Sequence, residues 1–312
     1  MVLEKAKIII QLAIERSVHD IYFLPKENFY EIRYRSSKEN RLHEKLSIEE
    51  SLALISHFKF ISGMNVGEKR RSQLGSCNYS LDSVKKRLRL STVGDVFGME
   101  SMVIRILYSE EDDAQFWFNG QVEIEKIINR RGLYLFSGPV GSGKTTLMYL
   151  LARLKFEGKQ VITIEDPVEI IQKNFLQLQL NRAIGNDYDN LIKLSLRHMP
   201  DLVIVGEIRD EQTARAVIRA SLTGYTVFST IHAKSVGGAY ERLLELGISK
   251  SEIENSVSAV IYQRLLVGKG LIDFSIGNIQ NHRGEKWNEQ LEKLFANGHI
   301  SHDEKESEKI IT

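Results

Sequence analysis

Residues Gly138 to Thr145 read Gly-Pro-Val-Gly-Ser-Gly-Lys-Thr, between the apolar stretch Gly132-Leu-Tyr-Leu-Phe-Ser137 and helix-forming sequence that runs to Lys155. Glycines in such a loop let backbone N–H groups turn inward around an anion. The lysine supplies a point charge for outer phosphates, and the hydroxyl after it can ligate Mg²⁺. Gly138, Pro139, Val140, Gly141, Ser142, Gly143, Lys144, Thr145 and Thr146 are therefore the residues expected around a nucleoside triphosphate, with Thr145 on magnesium. A second apolar run, Asp201-Leu-Val-Ile-Val-Gly-Glu207, ends in a carboxylate. Strands of this form deliver an acid beside the metal, so Glu207, paired with the phosphate loop, is a candidate for magnesium, directly or through water; on its own the run would favour a buried strand ending at a solvated glutamate. Val161-Ile-Thr-Ile164 leads into Glu165, Asp166 and Glu169. Hydrolysis of a phosphoanhydride needs an acceptor to orient and deprotonate water, and a cluster of carboxylates at a strand end can provide one, although Asp-Pro also starts ordinary acidic turns.

These groups need a scaffold that brings strand ends together. From residue 120 the pattern alternates strand and helix, with strands expected at 133–137, 160–165, 175–180, 201–207 and 226–231, and helices at 144–157, 188–198, 210–222, 235–246 and 249–262. That alternation predicts an α/β domain with a mostly parallel sheet and its ligand at the carboxyl ends of the strands. The first 108 residues read differently. An amphipathic helix over 2–17, strands over 29–35, 85–93 and 101–107, and a helix over 47–64 opened by Ser47 and Glu50 at capping-box spacing predict a smaller mixed α/β domain. The acidic break Ser109-Glu-Glu-Asp-Asp-Ala114 predicts a linker over 109–119, followed by the nucleotide-binding domain over 120–298 and a charged, frayed tail over 299–312.

Composition limits the possibilities further. A chain of 312 residues, 42% hydrophobic and 27% charged, can bury a core in each of two domains, and a net charge of +1 gives no global attraction to nucleic acid or anionic membrane. No patch of interleaved aromatic and basic residues stands out, so direct nucleic-acid binding is not expected. One cysteine, Cys77, excludes an internal disulfide and a thiolate-only zinc site, and fits cytosolic residence. The apolar run Ile8 to Ile14 is short and flanked by charges, which argues against a signal peptide or membrane span.

Thr163-Ile-Glu-Asp-Pro-Val-Glu169, Leu202 to Asp210, and Leu222-Thr-Gly-Tyr-Thr-Val-Phe-Ser-Thr-Ile-His232 resemble the Asp box, Walker B and His box of the type II secretion and type IV pilus ATPases, in family order behind the phosphate loop. Upstream, Asp20-Ile-Tyr-Phe-Leu-Pro25, Gly63 to Arg71, and the strand pair containing Arg87-Leu-Arg-Leu-Ser-Thr-Val and Val103-Ile-Arg105 resemble motifs of the same family. The resemblance covers roughly residues 1 to 267. It implies a PAS-like domain followed by a RecA-like P-loop ATPase domain. It further implies ATP and Mg²⁺ held by Lys144 and Thr145, metal support from Glu207, water activation by Glu169, and a γ-phosphate sensor in His232. Arg89 and Arg105 would reach a neighbouring subunit's nucleotide. Arg131 and Arg209 also match family arginines and could equally be structural ion pairs.

Three departures refine the match. Tyr225 stands where the family has its first His-box histidine. The tetracysteine zinc module is missing, so no zinc is expected, and so is the long extra N-terminal domain of larger members. With no Ala-Ile-Arg-Asn-Leu-Ile retraction motif, the chain is most similar to the short members that drive the competence pseudopilus of Gram-positive bacteria. The implied activity is ATP hydrolysis by a homo-oligomeric ring, expected to be a hexamer, at the inner face of the membrane against an integral platform protein, feeding a pseudopilus for DNA uptake. The alternatives are a pilus-retraction or protein-secretion ATPase, or a low-turnover nucleotide-dependent scaffold.

Overall fold

The computed structural model describes residues 2–16, 18–36, 39–81, 84–107, 114–168, 170–181 and 185–310. The chain divides into two units, Met1–Ser109 and Glu110–Thr312.

In the first unit, strands alternate core-facing and outward side chains, the signature of a sheet with one covered face. β1 (Asp20–Pro25), β2 (Tyr30–Arg35), β3 (Asn40–Leu46), β4 (Gln73–Leu81), β5 (Val84–Gly94) and β6 (Glu100–Leu107) form one antiparallel sheet in the order β3-β2-β1-β6-β5-β4. Helices α1 (Val2–Glu15) and α2 (Ile48–Ile61) supply Ile9, Ile10, Leu54 and Phe58 to the core formed with Leu88, Leu90, Ile104 and Ile106. Both hydrogen bonds of the Ser47–Glu50 capping box form at the start of α2. Cys77 is partly buried against this core, and burial pushes its thiol up to about 11, which keeps it protonated and unreactive.

The same core encloses an ion pair. Lys59 Nζ lies 2.6 Å from Glu100 Oε1, with the two side chains 0% and 2% exposed, and also donates to Glu68 O at 2.6 Å, anchoring the basic loop that ends at Arg71. Removing one partner strands a buried charge, whereas replacing both with apolar groups need not. Lys59→Ala should therefore cost about 3–5 kcal/mol in urea unfolding, and Lys59→Met combined with Glu100→Leu much less. Equal losses in the two variants would show that the pair itself, not the stranded charge, sets the stability.

The second unit contains β7 (Gly132–Ser137), β8 (Val161–Glu165), β9 (Leu176–Gln179), β10 (Leu202–Ile208), β11 (Thr226–Ile231), β12 (Val257–Leu266) and β13 (Lys269–Ile276), in the order β13-β12-β7-β11-β10-β8-β9. All neighbours are parallel except the β12–β13 hairpin. Every residue of β7, β8 and β11 is buried, as continuous apolar strands covered on both faces must be. α3 (Gly120–Ile127) and α4 (Lys144–Lys155) cover one face. α5 (Tyr188–Leu196), α6 (Glu211–Leu222), α7 (Val236–Glu245), α8 (Lys250–Ser256) and α9 (Glu285–Ala296) cover the other. No helix of the described residues is long and apolar enough to cross a membrane.

Two segments differ from the sequence reading. The helix expected over 249–262 stops at Ser256, and residues 257–266 form β12 between β7 and β13. A short apolar run such as Val257 to Tyr262 has no periodicity that separates a buried strand from a buried helix. The segment expected to fray folds from residue 302 into α10 (His302–Glu308), capped by Ser301 and Glu304. Its anchors lie elsewhere in the chain: Trp287 Nε1 donates to Glu308 O at 2.8 Å, Arg264 pairs with Glu308, and Asn288 bonds both backbone groups of Ile310. Composition of the tail alone does not reveal them.

Candidate nucleotide site

β7 delivers the chain to Ser137 at the carboxyl edge of the sheet, and α4 starts at Lys144. Between them Gly138 has φ 143° and Gly143 φ 82°, conformations that L-residues with side chains rarely adopt. The loop thereby turns its backbone toward the first turn of α4, whose N–H groups and dipole favour an anion. Lys144 is 7% exposed, and its Nζ donates to Gly138 O at 2.9 Å and Pro139 O at 2.7 Å. A phosphate arriving at the loop competes with these two carbonyls for the ammonium. Thr145 and Thr146 follow, half-buried, in the first turn of α4.

Two other strand ends converge on the loop. A β-bulge interrupts the pairing of β10 with β11 between Val205 and Glu207, re-aiming the strand end. Glu207 forms an ion pair with Arg209, and its Oε2 lies 3.6 Å from His232 Nε2. The other ring nitrogen of His232 lies 3.2 Å from Gly138 O. Phosphate loop, acid-ended strand and histidine thus meet, and Arg209 joins them. The hydrogen bond to Glu207 raises the Arg209 guanidinium further above its ordinary value, keeping it charged.

The carboxylates after β8 separate in role. Glu165 is 4% exposed and turns inward, accepting from Tyr149 Oη at 2.5 Å and Thr163 Oγ1 at 2.6 Å. Burial first, and then the charge of Glu165, push the Tyr149 hydroxyl far above its usual range. Asp166 is exposed, while Glu169 lies outside the described residues. The Tyr188 hydroxyl is raised by burial and then by the charges of Asp166 and Glu207, which places those two carboxylates in one neighbourhood. Oxygen donors such as the Thr145 hydroxyl and the Glu207 carboxylate suit a hard divalent cation such as magnesium.

Tyr225 and Arg131 stand elsewhere. Tyr225 O accepts from Gly132 N at 3.1 Å, and Tyr225 Oη donates to Leu196 O at 3.1 Å, at the amino end of β7 and β11. His232 lies beyond the opposite end of β11, roughly 20 Å away at about 3.3 Å per residue. The tyrosine is therefore a packing residue remote from the phosphate loop. Arg131 shares that far edge, its carbonyl accepting from Ser258 Oγ at 3.1 Å.

In the first unit, Arg89 and Arg105 are directly opposed across β5 and β6, on the face away from the helices. Asp20, 5% exposed, accepts from Arg105 Nε at 2.7 Å and from its Nη2 at 3.4 Å. The aspartate of the Asp20–Pro25 motif thus orients Arg105. The sequence reading did not single out Gln263 as a site residue. It reaches the phosphate loop only because β12 pairs with β7.

A parallel sheet carrying a phosphate loop, with an acid-ended strand and a histidine meeting it at the strand carboxyl ends, defines a RecA-like P-loop ATPase. The family model described as "Type II/IV secretion system protein" matches residues 1–288, and the chain belongs to that family. It is 58% identical over 310 residues, 99% of both chains, to competence protein ComGA of Streptococcus pneumoniae. It is 37% identical over 268 residues, 84% of this chain and 75% of the relative, to ComGA of Bacillus subtilis. Similarity to type II secretion system protein E of Xanthomonas campestris is 33% over 272 residues, covering 85% of this chain and 48% of that one. Among solved structures, the ATPase DotB of Legionella pneumophila has a TM-score of 0.75 at 18% identity, covering 96% of this chain and 93% of DotB. The pilus retraction motor PilT with bound ADP has a TM-score of 0.73 at 22% identity, covering 96% of both chains. These two establish the likeness of fold. The chain is an ATPase.

Proposed function

We propose that this ATPase works as a ring, with hexameric symmetry, that drives assembly of a competence pseudopilus for DNA uptake from the cytoplasmic face of the membrane, acting on an integral platform protein. The observation that carries this reading is the end-to-end 58% identity with the pneumococcal competence protein ComGA. Lys144 and the N–H groups of Gly138–Lys144 hold the outer phosphates, with Thr145 and Glu207 as magnesium ligands. Magnesium, when bound, neutralises charge on the phosphate oxygens. Glu169 takes the proton of the attacking water, and His232 reads the γ-phosphate from its seat between Gly138 O and Glu207. Arg89 and Arg105 meet the nucleotide of an adjacent subunit, tying turnover to ring assembly.

Deletion of the gene separates this motor from its relatives. Loss of DNA uptake with secretion and motility intact is the expected result. Retained uptake, or loss of secretion or twitching instead, would overturn the assignment. Because one cysteine cannot build a thiolate site, elemental analysis of purified protein should find less than about 0.1 zinc per chain. A stoichiometric zinc would require a metal site outside the phosphate chemistry.

A further inference from the structure

Gln263, in β12, is 3% exposed, and its Oε1 has no hydrogen-bond partner among the described residues. An amide oxygen buried in this way is costly, so its retention calls for a reason. Its surroundings supply one. A Cβ on Gly143, the last glycine of the phosphate loop, would lie 2.6 Å from Gln263 Nε2, and a Cβ on Gly270, in β13, would lie 3.2 Å from the same atom. Both glycines leave only enough room for the amide between them. Ser142 Oγ, also buried without a partner among the described residues, lies in the same loop.

Gly270 has a second set of neighbours. Its N–H donates to Gln115 O at 2.8 Å, and a Cβ there would stand 2.6 Å from the Phe116 ring. Trp117 Nε1 donates to Leu266 O at 3.0 Å, and Lys269 Nζ sits 4.8 Å from the Trp117 ring centroid. Residues 115–117, near the start of the second unit, are thus strapped onto the β12–β13 hairpin. One side chain, Gln263, separates Gly270, on which the strap sits, from Gly143 of the phosphate loop.

We infer that Gln263 is a positioning residue that couples the phosphate loop to the strap at 115–117. This rests on the reading of Gly138–Thr145 as the phosphate site. A phosphate that draws Lys144 away from the Gly138 and Pro139 carbonyls reshapes the loop against Gln263. The amide passes the shift to Gly270 and so to Gln115–Trp117. A neutral amide is well suited to this, since it can exchange hydrogen bonds with loop N–H groups and adds no charge to compete with phosphate. An apolar chain of the same size fills the gap without that exchange. In this role Gln263 acts through the loop and is not a catalytic residue.

Hydrogen exchange on the full-length protein with and without ADP tests the coupling. In the native chain ADP should change exchange at 114–119 by about threefold or more. Gln263→Met, close in volume, should bind ADP within about threefold of the native Kd. Its exchange response at 114–119 should be lost, and ATP turnover should fall about tenfold. Phe116→Ala, which loosens the strap and leaves Gln263 in place, should reproduce the loss of turnover with native ADP affinity, and serves if Gln263→Met does not fold. A full exchange response with native turnover in either folded variant overturns the proposal. A native chain that binds no ADP overturns the phosphate-site reading instead.

Discussion

Lys144→Ala should lower ATP turnover by about 10³-fold or more, because the lysine carries the one side-chain charge placed inside the phosphate loop. Its ammonium is already seated at the mouth of the loop, bonded to Gly138 O and Pro139 O. The truncation removes both the phosphate's counter-charge and the tie that holds those two carbonyls, so nucleotide affinity should fall with turnover. With Glu169 as the base proposed above, Glu169→Gln should behave differently, keeping ATP binding while slowing hydrolysis by about 10²- to 10⁴-fold, since in that role only water activation needs the carboxylate. Single-turnover phosphate release together with a nucleotide-binding titration separates the two. Release by Glu169→Gln within about threefold of the native rate would move the base elsewhere. Glu165 is a poor substitute, being committed to Tyr149 and Thr163, so Glu207 would be next in line.

What could be read from the sequence follows from how local each signal is. The phosphate loop is eight consecutive residues, and the requirement for inward N–H groups, lysine and hydroxyl is written in their order. Strands buried on both faces, such as Leu202 to Val205, announce themselves as apolar runs, so the parallel sheet was legible as well. β12 was not. Its residues are as apolar as a buried helix, and only the neighbours β7 and β13 make them a strand. Long-range partners were equally hidden: nothing in the spacing shows that Asp20 will hold Arg105, 85 residues on, or that Trp287 will anchor the last helix at Glu308. Glu165 illustrates the converse case. It belongs to a matched motif, yet its carboxylate is spent inside the domain on a tyrosine and a threonine, so motif membership did not define its direction.

Mixing variant subunits provides the sharpest test of the proposed ring. Arg89 faces Arg105 directly across the β5–β6 ladder, where like charges repel unless an anion joins them. Asp20 grips Arg105 from within the same chain. On the reading proposed above, the pair meets a γ-phosphate in an adjacent subunit, where each guanidinium would stabilise transition-state charge. Arg105→Ala should carry two penalties, lost turnover and a stability loss of about 1 kcal/mol, since the 5% exposed Asp20 loses the hydrogen bonds of Arg105 but keeps Arg35 opposite it. Arg89→Ala should lose turnover by about 10³-fold or more. Rings of Arg89→Ala alone and of Lys144→Ala alone should both be inactive. Rings mixed from the two should recover activity wherever an intact Arg89 meets an intact phosphate loop, in the proportion that random mixing gives. If such rings assemble without recovery, or if Arg89→Ala turns over at the native rate, the Arg89–Arg105 pair belongs to the sheet's surface and not to a neighbour's nucleotide.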